Sequence, residues 1–320
     1  MKSISSLTDF YYKKLYPALQ DLEEQRVAVK KRVLTIGTLY SLFFTGLAFF
    51  LFTQNASIEA LAFFLMIYIA GGSFLYKVFL KNYRTSFKKS IIEPLIKEID
   101  STLHYIPTMH VAKEHFIRSK IFTSTPDRVS GNDFVHGKID GVPIEFSDFH
   151  AEKRHKNTHG KESWSTLFQG LFIVSEFPKH FHGTTIILPD TAQSSFGEYL
   201  GHILQENNFT RDELVKMDDP AFEKEFVVYG SDQIEARYIL THSLMKKLLH
   251  FQKRSKSPLS VSFTGKKIYL AIAYNRDLFE PSVFHSLLKY KIAMEYVATL
   301  HLAIGIVEEL KLNQKLWSKQ

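Results

Sequence analysis

Three histidines, His150, His155 and His159, share one polar stretch, 150–163, with Glu152 among them. Imidazole nitrogens are ligands for zinc, nickel and copper. The same stretch carries Lys153, Arg154, Lys156 and Lys161. Those charges disfavour a bound cation, and metal ligands need fixed geometry and a supporting shell. A solvated basic loop is the better reading, and its counterpart is an anionic surface such as lipid headgroups. No metal and no cofactor is expected. His180 and His182 straddle Phe181 and read as a turn at a strand end.

A second set is Glu223, Glu225, Glu235 and Arg237. Carboxylates gathered around a guanidinium can mark a pocket, with Glu223, Glu235 and Arg237 as the candidate residues. The structural alternative is a helix cap plus an ion pair. Asp232 followed three residues on by Glu235 is a capping-box spacing. The motifs of phosphate-binding loops, nucleophile elbows, zincins and dinucleotide-binding folds are absent. The chain has no Cys, which excludes disulfides, thiolate catalysis and iron–sulfur ligation. Phe279-Glu280-Pro281 places a proline near the first position of a helix and an acid beside its positive end.

The elements that hold these residues begin in lipid. Residues 33–52 carry neither charge nor proline, and 60–76 form a second uncharged run, extended by Ile58 and by 78–80. About twenty apolar residues span a hydrocarbon core of roughly 30 Å. A signal peptide does not fit the first run, which starts late and lacks a cleavage site. Arg26, Lys30, Lys31 and Arg32 precede the first run; Lys77, Lys81, Arg84, Lys88 and Lys89 follow the second. The connector 53–59 has no Lys or Arg, so both termini belong in the cytoplasm and the connector outside. This distribution accounts for much of the net charge of +7, and nucleic-acid binding is not expected. No ionisable residue lies at mid-depth, which disfavours an ion or proton pathway. The small residues Ala70, Gly71, Gly72 and Ser73 are expected to touch the first span near Gly46.

Amphipathic helices flank the spans. Leu15, Leu19 and Leu22, with Phe10 and Tyr11, form one stripe; Ile91, Ile92, Leu95, Ile96, Ile99 and Leu103 form another, with Pro94 starting a new turn or a kink. The stripes pair with each other, or one of them is an oligomer or partner surface. Beyond residue 106 the pattern changes. Asp140-Gly141 joins two strands, 167–177 and 184–188 read as two more, and 195–206 as a helix. A short strand at 226–229 precedes a helix lined by Ile234, Tyr238, Met245 and Leu248. A hairpin around Gly265 joins 259–263 to 267–273, and a helix over 282–312 ends the chain. This is α+β with a mainly antiparallel sheet.

Asp219-Pro220-Ala221-Phe222-Glu223-Lys224-Glu225-Phe226-Val227-Val228-Tyr229-Gly230, running on through Glu235-Ala236-Arg237-Tyr238-Ile239-Leu240-Thr241, resembles a signature of the bacterial membrane-protein family named domain of unknown function 3137. Phe168-Gln169-Gly170-Leu171-Phe172 and Asp277-Leu278-Phe279-Glu280-Pro281 are similar to the same family. The resemblance implies no activity and no catalytic residues. It implies a LemA-type membrane protein as a partner. The expected organisation is a cytoplasmic amphipathic helix, 1–32; a transmembrane helical hairpin, 33–80; a connecting helix, 81–105; and a cytoplasmic α+β domain, 106–320. The expected setting is a bacterial cytoplasmic membrane. The expected role is a membrane-anchored binding or assembly domain, homo-oligomeric or with a membrane-protein partner. The alternative is a membrane-tethered enzyme with a site near Glu223, Glu235 and Arg237.

Overall fold

The computed structural model describes residues 9–139, 141–156, 160–190, 212–255, 257–274 and 279–288. The chain divides into two compact units, 1–95 with 279–295, and 96–278 with 296–320.

In the first unit a π-helical turn, Tyr11–Leu15, runs into α1, Tyr16–Thr53. α2, Ile58–Phe87, starts where the Ser57 hydroxyl accepts the N–H of Ala60. A second π-helical turn, Lys88–Ile92, leads to α3, Glu93–Ile99, with Pro94 at its start. Proline has no N–H for the carbonyl four residues back, so the widened turn falls where α-helical bonding is interrupted. The expected flanking stripes are buried in this unit: Leu15, Leu19 and Leu22 before the first apolar run, and Ile91, Ile92 and Leu95 after the second.

Between those ends the apolar surface of α1 and α2 is uncovered. Phe49 is 69% exposed and Phe74 68%. A large apolar side chain left in water forgoes about 1.5–3 kcal/mol, and here the most apolar window of each helix has no buried residue at all. Both helices are long and apolar enough to cross a membrane. Where they touch, the Tyr40 and Tyr68 rings stack at 5.3 Å, and the Tyr40 hydroxyl donates to the carbonyl of Tyr68 at 2.9 Å. Ser41 and the Tyr68 hydroxyl share a second bond of 2.9 Å. A Cβ on Gly71 would fall 2.5 Å from the Tyr40 hydroxyl, while one on Gly46 would meet nothing within 4 Å. The small-residue patch therefore makes room for a tyrosine ring; the expected approach to Gly46 does not occur.

Residues 279–288 belong to this unit and bury Phe279, Val283 and Leu287. The expected helix from 282 is not formed over 282–288, which runs through bends and turns; its remainder lies outside the described residues. The carbonyls are taken by side chains. Arg26 Nη1 donates to the carbonyl of Val283 at 2.6 Å, and the Tyr83 hydroxyl donates to that of Ser282 at 3.1 Å.

Among the described residues the second unit holds a seven-stranded sheet with every pairing antiparallel. Its elements are β1, His104–Ile106; α4, Lys113–Arg118; β2, Arg128–Ile139; β3, Val142–Lys156; β4, Glu162–Pro189; β5, Glu213–Leu214; α5, Pro220–Glu223; β6, Phe226–Gly230; α6, Gln233–Ile239; α7, His242–Ser255; and β7, Leu259–Ala273. The order is β1-β2-β3-β4-β6-β5, with β7 paired to β4. The fold is α+β, as the pattern of the sequence implies.

β4 carries the sheet, since β3, β6 and β7 all pair with it. The two strands expected at 167–177 and 184–188 are one strand with register shifts between Glu176 and Thr184. β7 bends at the same level, at Gly265, whose φ of +60° suits glycine. The halves of β7 pair with β4, not with each other as a hairpin would. Yet the N–H of Ala273 donates to the carbonyl of Pro258 at 3.0 Å, so the two ends of β7 meet. An extended strand of that length would span about 50 Å; the β4–β7 ribbon is folded back on itself. Phe116, Phe149, Phe172, Ile186 and Leu188 pack in the core this encloses.

Two further expectations are corrected. The stretch 150–163 is not a long loop: β3 runs to Lys156 and β4 starts at Glu162, with His155 opposite Ser163. Polar side chains on both faces hide the alternation that marks a strand. The helix after β6 is two helices, and Ile234 and Tyr238 are exposed, whereas Ala236, Ile239, Met245 and Leu248 are buried. The helix expected at 195–206 lies outside the described residues.

Candidate functional site

The basic stretch is the far end of the β3–β4 hairpin. A register shift after Ala151 sets Glu152 opposite Thr166 and Arg154 opposite Trp164. β2 adds Arg128 beside Glu152. Arg128 bonds the Glu152 carboxylate at 2.6 Å, and its guanidinium lies 4.3 Å from the centre of the Trp164 ring. Arg154 pairs with Glu162 at 3.3 Å, and Lys153 Nζ donates to the carbonyl of Thr125 at 3.1 Å. Asp127 accepts the backbone N–H of Arg154 at 2.8 Å. That bond, followed by the charges of Lys153 and Arg154, holds its carboxyl below the usual value. Lys156 and Lys161 are exposed at the tip, as is Trp164 at 43%. Arg128 and Trp164 were not among the residues the sequence singles out. Trp164 directly follows the basic stretch, and Arg128 is brought to it by strand register alone.

His150 and His155 are held by Thr166 and Ser165 respectively, at 3.1 and 2.7 Å, and His159 lies outside the described residues. Among the described residues no group of three or more His, Asp or Glu could hold a metal ion.

The signature carboxylates bind backbone. Glu223 Oε1 accepts the N–H of Met217 at 2.8 Å, and Arg237 Nε donates to the carbonyl of Lys216 at 3.4 Å. These two side chains thus fasten the same peptide link. Glu235 faces elsewhere. It takes the N–H of His182 at 3.0 Å and of Gly183 at 2.8 Å, at the bend of β4. Asp232 caps α6 through the N–H groups of Ile234 and Glu235. The cap is as expected, but the Glu235 carboxylate is spent on β4, joining α6 to the sheet. Glu223 and Arg237 are brought together, and Glu235 is not brought to them.

Residues 166–312 match the model of a family described as Protein of unknown function (DUF3137). The resemblance carried by the segments around Gly170, Tyr229 and Glu280 is borne out there. No curated protein matches the chain. A solved structure, the crystal structure of the mycobacterial trehalose monomycolate transport factor A, TtfA, is similar over 67% of this chain and 92% of that one, at 11% identity and a TM-score of 0.35. At that score the likeness carries no argument about this chain.

Proposed function

We propose, for a chain whose residues 166–312 match DUF3137, a membrane-anchored binding or assembly module. α1 and α2 cross a bacterial cytoplasmic membrane as a hairpin, with 53–59 outside and both termini in the cytoplasm. The observation that carries this reading is the uncovered apolar surface of both helices. Orientation rests on the Lys and Arg that flank the spans and are missing from the connector. Drawing one of them to mid-membrane costs about 2.5–3.5 kcal/mol, which disfavours slippage. A binding role is favoured because Glu223, Glu235 and Arg237 are each engaged with backbone.

The β3–β4 hairpin end is the lipid-facing part of the module. Lys153, Arg154, Lys156, Lys161 and Arg128 outnumber Asp127, Glu152 and Glu162, and Trp164 is a residue type that settles at a membrane interface. Reporter fusions test the topology: a phosphatase active only outside the cytoplasm is active when joined at Asn55 and silent at Gln320. The reverse pattern overturns the orientation. Native mass measurement after gentle extraction tests assembly. A particle with a second copy, or with a LemA-type protein, supports it; a bare monomer at every detergent condition opposes it.

A further inference from the structure

The second unit carries a polar cleft that the proposed role does not use. On one face of the sheet, His136 is opposite Glu145, Glu145 opposite Val174, and Val174 opposite Tyr269, in a row across β2, β3, β4 and β7. Two residues further along, Lys138 faces Pro143 and Glu176 faces Lys267. α4 sets His115 against this face, with Nε2 2.9 Å from Glu145. The space they line measures about 420 Å³, within the range of small-ligand sites.

Charge is unevenly spent here. Glu145 is engaged by His115, and Lys267 and His136 also act on its charge, so groups from three elements face it. Lys138 and Lys267 have no hydrogen bond or ion pair from their ammonium groups among the described residues. The opposing charges are Glu145, engaged by His115, and Glu176, which is exposed, stands between the two lysines in the strand register and is paired with neither. Lys138 and Lys267 sit three strand spacings apart on the same face, roughly 14 Å between backbones. Pro143 and Val174, the latter only 2% exposed, supply apolar lining.

We propose that this cleft binds a phosphate or carboxylate group carried on a small organic body. Lys138 and Lys267 bracket the anion, His136 donates to it, and the body lies on Pro143 and Val174. The proposal is independent of the membrane reading.

The test uses the full chain in phosphatidylcholine nanodiscs, titrated calorimetrically with inorganic phosphate and with phenyl phosphate. Phenyl phosphate is expected to bind saturably and more tightly than phosphate. Lys267→Gln weakens it by about tenfold or more, and Glu176→Gln tightens it several-fold by removing the opposing charge. Lys120→Gln, away from the cleft, leaves it unchanged. A parent protein that shows no saturation below roughly 10 mM overturns the proposal. So does a Glu176→Gln variant with unchanged affinity, because that variant keeps every group said to bind. Titration in phosphatidylglycerol nanodiscs separates the sources. Competition by the lipid assigns the site to a headgroup, and undiminished phenyl phosphate binding assigns it to a soluble molecule.

Discussion

Lys88 and Glu280 form an ion pair of 3.0 Å, with side chains 8% and 15% exposed. The same carboxylate takes Arg84 at 2.8 Å. One acid far along the sequence thus neutralises two of the cations that follow the second span. Removing one partner of a buried pair leaves the other charge uncompensated, a cost of about 3–5 kcal/mol, whereas replacing both with apolar residues is often neutral. Glu280→Gln is therefore expected to lower stability by about 3 kcal/mol, read as a shift in thermal unfolding of the detergent-solubilised chain. Lys88→Met with Glu280→Leu recovers part of it. A Glu280→Gln protein that melts like the parent means that the pair contributes nothing.

The helix hairpin gives a sharper steric test. Gly71→Ala sets a methyl group 2.5 Å from the Tyr40 hydroxyl and should loosen the contact between α1 and α2. Tyr40→Phe loses a hydrogen bond worth about 0.6 kcal/mol in a membrane, but removes that clash. The double variant should be less destabilised than the sum of the two single ones. Gly46→Ala, with open space around it, should be silent. Strict additivity at Gly71 and Tyr40, measured by unfolding in mixed micelles, would place the contact elsewhere.

Acid should weaken the second unit through Glu145. Burial pushes its carboxyl up, but the hydrogen bond and charge of His115, with Lys267 and His136, outweigh this and set it below 4.5. A lowered carboxyl pKa stabilises the fold at pH above the unfolded value, and this contribution is lost as pH falls through the lower folded one. Melting temperature should drop across that acidic window. Glu145→Gln should start lower at neutral pH and show a shallower drop. Parallel pH profiles for the two proteins would remove Glu145 from the account.

Glu235 should matter more than its cap position implies. An N-cap change such as Asp232→Ala costs about 1 kcal/mol. Glu235→Ala strips acceptors from two N–H groups of β4, each worth about 1–3 kcal/mol if left unsatisfied. Both N–H groups lie near the surface, so water offsets part of this. Hydrogen exchange at His182 and Gly183 should quicken in Glu235→Ala and stay slow in Asp232→Ala. Equal rates in the two variants would mean that the carboxylate does not tie α6 to β4.

Trp164 offers a test of the proposed lipid contact. With Trp317→Phe as background, its emission should be quenched by brominated anionic lipid, and less so after Lys156→Glu with Lys161→Glu. Quenching that is absent from the outset, or indifferent to those charges, would turn the hairpin end away from the bilayer.

Much of this architecture is legible in the sequence because its signals are local. Uncharged runs, the Asp140-Gly141 turn and the Asp232 cap each depend on a few consecutive residues. What escapes is long-range. Gly71 marks a close approach, but only the helix phase shows that Tyr40 fills it. Among its described residues the polar run 150–163 buries only Ala151, so periodicity is silent although the backbone pairs. Glu280 looks like a helix-start acid because its partners, Arg84 and Lys88, look like topology charges. His136–Glu145 follows by count from the two-residue turn, but pairs beyond the bulge between Asn132 and Val135, such as Arg128–Glu152, need a register shift that no residue count predicts.

The central place of β4 imposes an order of events on synthesis. β4 ends at Pro189 and β7 starts at Leu259. At about 5–20 residues per second, β7 leaves the ribosome roughly 4–14 s after β4 is complete. Throughout that interval the nascent chain holds β2, β3 and β4 with one side of β4 unpaired, over the stretch where Leu171, Ile173 and Ile187 will be buried. Such an edge recruits other strands. If α1 and α2 insert as proposed, that hairpin, made first, would hold each unfinished domain apart from its neighbours until Ala273 reaches Pro258 and the ribbon closes.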